Sequence, residues 1–310
     1  MKIKLLENTG LFIEPYGPGY YTMTKPMFLE YFFPKNIAFE FVPSNVKTDI
    51  CVSSIQLVDK ALLNNQNVNI LISVENCSHW KHYIHYNKYG NYGNDMIDIY
   101  MYNHISKIHK GVYPTTNKPY IAIPVVYMEI DYYNNAKNNF ISMPSLNCPF
   151  SEKKFCLLIN RSNLNNNIEK LLRKLDKIGQ IDHISKYTNR IGNSSCYHSI
   201  NLLEVFNMYK FVICFENSYN DGYITEKIFN CFLAKTIPLY SGSPIVHQFL
   251  NTDGFINIPH DKTNEFDIEI INKLNNNEME YMKMLNVDKI SPTYNNEDYM
   301  KEIIDVLNKK

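Results

Sequence analysis

The chain has no surplus of charge of either sign: 31 Lys and Arg balance 31 Asp and Glu over 310 residues, a formal net charge of +0. Nucleic-acid binding calls for a basic face, so that class is excluded as an expectation. No apolar window approaches the ~20 residues of a membrane-spanning helix. The N-terminus, MKIKLLEN, lacks a basic segment leading into an apolar one. The expectation is a chain without a transmembrane segment that works in the cytoplasm. Cys51, Cys77, Cys148, Cys156, Cys196, Cys214 and Cys231 form no close Cys-x-x-Cys pair. An odd number cannot all pair within one chain and the spacing suits no zinc site, so free thiols in a reducing compartment are expected. Gly17 and Gly19 lack the third glycine and the following helix of a dinucleotide fingerprint, and read as a plain turn. No internal repeat occurs.

What is present is a 45% apolar composition, enough core for one large or two ordinary domains. Asn, Ile, Lys and Tyr are abundant, in keeping with an AT-rich coding sequence, so Asn-rich loops carry little information. Short apolar runs predict strands at residues 2–6, 36–42, 49–52, 67–74 and 96–102, with a helix over 54–63. YIAIPVVY at 120–127 predicts another strand, and the polar, proline-broken stretch 131–149 reads as a linker. The expected domains are therefore 1–150 and 151–310. In the second, strands are predicted at 154–160, 181–184 and 254–258, and helices at 167–177, 199–208 and within 265–310.

One stretch, residues 211–242, organises the rest. FVICF at 211–215 is a strand buried on both faces, and ENSYNDG at 216–222 is turn chemistry, with Gly222 free to take a backbone angle that other residues resist. Residues 223–234 show helical spacing: Ile224, Ile228 and Cys231 share one face, and Tyr223, Glu226, Lys227 and Asn230 another. Residues 236–240 then return as a buried strand. A helix that starts directly after a buried strand aims unpaired N–H groups and its positive dipole end at whatever sits over the sheet edge, which suits phosphate. Lys227 adds a full charge one turn in, while Glu226 and Asn217 are placed to hold hydroxyls or amides. The same Glu-Lys pair also fits a plain solvated helix face.

FENS at 215–218, GYITEKIF at 222–229 and TIPLYSGSP at 236–244 closely resemble the signature block of the α1,3/α1,4-fucosyltransferases. The resemblance implies an α/β protein of the GT-B class, two Rossmann-like domains facing each other across a cleft. It implies an inverting transferase using GDP-fucose, with an N-terminal acceptor-binding domain and a C-terminal nucleotide-sugar domain. Asn217, Tyr223, Glu226 and Lys227 would then line the donor site, with Lys227 on the diphosphate and Glu226 on ribose or sugar hydroxyls. The family also has a Glu-Asn pair after the strand equivalent to 67–74, and its Glu is held to be the general base. Carried over, that residue is Glu75, a carboxylate at the end of a buried strand, where open α/β sheets place function.

Asn76 and Trp80 are the accompanying acceptor-side candidates. His79, His82 and His85 are spaced by three, which drifts around a helix and does not converge on one ion, so no metal site is expected. The absence of any Asp-x-Asp points the same way. The chain departs from the family where an Arg normally clamps the diphosphate: Asn165, Asn166, Asn167 and Ile168 stand there, and Arg161 is the nearest substitute. That departure keeps open the same scaffold with another nucleotide sugar, or a protein that binds a nucleotide sugar or glycan without turning it over.

Overall fold

The computed structural model describes residues 2–6, 38–42, 50–54, 68–73, 99–102, 120–122, 125–139, 146–160, 166–185, 202–217, 219, 221–263 and 265–295. Six strands form the first sheet: β1 (Lys2–Leu6), β2 (Ala38–Val42), β3 (Ile50–Ser54), β4 (Val68–Ser73), β5 (Ile99–Tyr102) and β6 (Tyr120–Ala122). Every pairing is parallel, in the order β2-β1-β3-β4-β5-β6. Parallel strands need a crossover between neighbours, so this order alone identifies an α/β unit.

Helix α1 (Val125–Asn139) follows β6 at once. It corrects two expectations, because 120–127 is not one strand and 131–149 is not simply a linker. The sequence holds a reason: a proline stands at 124, and that residue type is unsuited to a central strand and favoured at a helix start. Val126, Ile130 and Tyr133 then recur at helical spacing, and all three are buried. They pack into the core of the second sheet, with Tyr133 ring centroids 6.1 Å from Phe229 and 6.0 Å from Phe232.

The second unit contains β7 (Lys154–Asn160), α2 (Asn166–Leu175), β8 (Ile181–Ser185), α3 (Leu202–Asn207), β9 (Tyr209–Phe215), α4 (Glu226–Leu233), β10 (Ile237–Ser241), β11 (Ile256–Asn257), α5 (Glu269–Asn276) and α6 (Glu278–Asn286). Its sheet is parallel, ordered β11-β10-β9-β7-β8. Strand β9 lies at the centre and is covered on both faces. Val212 and Cys214 face a core completed by α1 and α4, while Phe211 and Ile213 face one completed by α2, α5 and α6. That two-sided burial is why the run reads as continuously apolar. Elsewhere the expected elements shorten: within 265–310 the described helices end at Asn286.

At its C-terminus α4 passes through Lys235, the one non-glycine with positive φ (55°) among the described residues. The Thr236 amide donates to the Cys231 carbonyl and the Lys235 amide to that of Phe232, a Schellman closure that brings the chain into β10.

Candidate functional site

The carboxyl ends of β9 and β10 and the first turn of α4 converge on one carboxylate. Glu216 follows β9 immediately, and its side chain is fully buried. Its amide donates to the Ser241 carbonyl, pinning it across the sheet edge. Oε1 accepts the Thr225 amide at 2.8 Å, and Oε2 accepts the Thr225 hydroxyl at 2.8 Å and Lys227 Nζ at 3.1 Å. Thr225 occupies the cap position of α4, yet its hydroxyl turns to Glu216 and makes no cap bond to the helix. The Thr225 side chain therefore does not cap α4, and the Glu226 carboxyl instead takes the amide of its own residue at the positive end of the helix.

Lys227 is held from two sides, by Glu216 and by Asn217 Oδ1 at 3.2 Å. An ammonium has three donors, so one remains for a ligand. Burial alone would lower its pKa, but the Glu216 and Glu226 carboxylates outweigh burial and hold it above the ordinary lysine value. It is a permanent cation at physiological pH. Burial, followed by the Glu216 carboxylate, raises the Glu226 carboxyl, with Lys227 acting in opposition.

The turn that presents this helix depends on two glycines. Gly222 has φ 80°, the left-handed region, and its amide donates to Ser243 Oγ at 2.9 Å. At Gly242 a Cβ would fall on the Tyr240 hydroxyl and within 2.6 Å of Glu216 Cγ, so only glycine lets β10 turn away past the buried carboxylate. The Tyr240 hydroxyl accepts the Ser243 amide at 3.1 Å.

Of the expected site residues, the structure brings Asn217, Glu226 and Lys227 together at this junction. Tyr223 lies just before the helix and is buried (3% exposed), in the wall beneath the turn. Asn230, expected on one helix face with Tyr223, Glu226 and Lys227, is buried at 5% exposure. Arg161, Glu75, Asn76, Trp80 and the three histidines lie outside the described residues. Arg173 is in the last turn of α2 and exposed, at the end of the helix away from the start where a diphosphate clamp is expected. Sequence reasoning missed Glu216 and Thr225. The usable signal was an acidic residue directly after a buried apolar strand, where burial demands partners. Among the described residues no group of three His, Cys, Asp or Glu is placed to hold a metal ion, and Cys148, Cys156, Cys214 and Cys231 are free thiols. No described helix is long and apolar enough to cross a membrane.

Half of the chain, residues 149–303, matches the family model for the glycosyltransferase family 10 (fucosyltransferase) C-terminal region. An alpha-(1,3)-fucosyltransferase of Helicobacter pylori is 37% identical over 95 residues, 31% of this chain and 20% of that protein. The chain thus spans only about a fifth of that relative's length. A crystal structure of an alpha1,3-fucosyltransferase superposes with a TM-score of 0.62 at 17% identity, covering 99% of this chain and 90% of that one. An alpha1,3-fucosyltransferase with GDP-fucose gives 0.57 at 19% identity over 99% and 89%. These likenesses show the fold, the GT-B pairing of two parallel α/β units.

Proposed function

Since the chain belongs to glycosyltransferase family 10, we propose that it is an inverting transferase that moves L-fucose from GDP-fucose to a hydroxyl of a glycan acceptor, in an α1,3-type linkage. The observation that carries this reading is Lys227, fixed between Glu216 and Asn217 in the first turn of α4. Such a cation at the positive end of a helix is suited to the diphosphate of a nucleotide sugar.

In the proposed reaction the acceptor oxygen attacks the anomeric carbon from the face opposite GDP. The new C–O bond forms as the bond to the phosphate oxygen breaks, and GDP leaves with the electron pair. Glu75 takes the hydroxyl proton, since an unassisted hydroxyl is a poor nucleophile. Lys227 and the helix amides meet the charge that develops on the leaving diphosphate. Glu226 and Asn217 hold donor hydroxyls, Tyr223 supports the turn that carries them, and Arg161 supplies further charge. Asn76 and Trp80 belong to the acceptor side. The N-terminal unit, residues 1–150, takes the acceptor and residues 151–310 the donor, with α1 as the strap from one to the other. No metal is needed where Lys227 supplies the positive charge. A cytoplasmic setting, supported by the buried free thiols, completes the proposal.

A thermal-shift panel of GDP-fucose, GDP-mannose, GDP and UDP-sugars tests the donor without an acceptor. A ligand at a hundred times its dissociation constant stabilises by about 2.7 kcal/mol. Selective stabilisation by GDP and GDP-fucose is expected; a response to UDP-sugars alone overturns the donor. Glu75→Gln should then bind donor normally while transfer stops, and undiminished transfer would remove Glu75 from the base role.

A further inference from the structure

Helix α1 brings to the site a carboxyl for which the signature block does not account. Glu129 lies within the buried face of α1, flanked in sequence by Val126 and Ile130, and is itself only 3% exposed. Its Oε2 is buried and has no hydrogen-bond partner. Buried carboxyl oxygens are rarely left in that condition without a use. Tyr133, one helical turn further along the same face, meets Phe229 and Phe232 of α4. One turn back, Glu129 falls beside the first turn of α4, within the electrostatic reach of Glu226 and Glu216.

The surroundings favour an uncharged carboxyl. Burial first, and then the negative charge of Glu226 and Glu216, push Glu129 well above the usual carboxylate range. Were Glu129, Glu216 and Glu226 all ionised around Lys227, the junction would carry two net negative charges and be a poor host for a diphosphate. An uncharged Glu129 removes one of them, and a carboxylic acid has an O–H that a carboxylate lacks.

We propose that Glu129 is a positioning residue of the donor site, whose buried carboxyl donates a hydrogen bond to the Glu226 carboxylate in the donor complex and holds it toward the hydroxyls of the ribose or sugar. This rests on the donor-site reading above, and its test needs no acceptor. Dissociation constants for GDP-fucose are measured by calorimetry for the wild type, E129L, E129Q, E226Q and the E129L/E226Q double variant. Loss of a hydrogen bond to a charged group predicts about tenfold weaker binding in E129L. E129Q, which keeps the shape and an N–H donor, recovers most of that loss. The double variant binds no more weakly than E226Q alone, because Glu129 acts through Glu226.

Leucine removes the orphaned oxygen while filling the site, so E129L melts at or above the wild-type temperature and its weaker binding is not unfolding. Wild-type affinity in E129L overturns the proposal, as does a double variant in which the two losses multiply. If the wild type binds no nucleotide sugar at all, the donor-site reading and this proposal fall together. If the wild type binds and E129L matches it, only this proposal falls.

Discussion

Replacing Glu216 by alanine should cost the protein both stability and its donor site. The carboxylate is fully buried, takes two hydrogen bonds from Thr225 and pairs with Lys227 at 3.1 Å. Removing one member of a fully buried ion pair costs about 3–5 kcal/mol. Lys227 keeps 29% of its side chain exposed, so water recovers part of its charge and the lower end of that range applies. Against this, the Thr225 amide is left unsatisfied in a residue 8% exposed, a further cost of about 1–3 kcal/mol that overlaps with the first. The expected loss is about 3–4 kcal/mol, which for a unit of this size lowers the melting temperature by roughly 10 °C. Glu216→Gln keeps the shape and one acceptor for the Thr225 amide, and should lose about half as much. Calorimetric melting of the two variants, with GDP titrated into each below its transition, provides the assay. An alanine variant within about 1 kcal/mol of wild type, or one that binds GDP unchanged, would refute the claim that Glu216 organises this junction.

Three further outcomes follow from the same structure. Gly242→Ala pushes a methyl group into Tyr240 and Glu216, and urea titration should show a loss of about 1–3 kcal/mol. Lys235→Gly removes a side chain from a left-handed position at the closure of α4 and should raise stability by about 1 kcal/mol, read as a higher melting temperature; a drop would mean that Lys235 makes compensating contacts. Stability should rise as pH goes from 7 to about 8.5. Burial is the largest cause in lowering both Lys153 and Lys289 to about 8, so over that window the unfolded chain holds more protons than the folded one. Above about 9 the thiols of Cys156 and Cys214, pushed up by burial, oppose the gain because unfolded thiols ionise first, and above 10 Tyr133, held at about 12 in the fold, adds to the loss. Urea midpoints that fall between pH 7 and 8.5 would contradict this.

The second sheet was legible in sequence because β9 and β10 are short apolar runs bounded by turn residues, and because Gly222 stands where a left-handed angle was needed. The site was legible as far as single residues go, since Asn217 and Lys227 do meet. Its organising centre was not. Glu216 reads as a polar turn residue until β9 ends directly before it and Thr225 returns from nine residues on to bind it, a pairing that only the fold supplies. Helix α1 escaped because Ile-Pro-Val-Val-Tyr carries strand propensity locally, and only packing against α4 makes its helical spacing decisive.

If Lys227 at the start of α4 receives the diphosphate of GDP-fucose, titration of GDP-fucose into the wild type and Lys227→Met will show it. Saturable one-to-one binding displaced by GDP is expected, with an affinity lowered about 10- to 100-fold by the substitution, the worth of a hydrogen bond from a charged group. Equal affinity in the two proteins would contradict it.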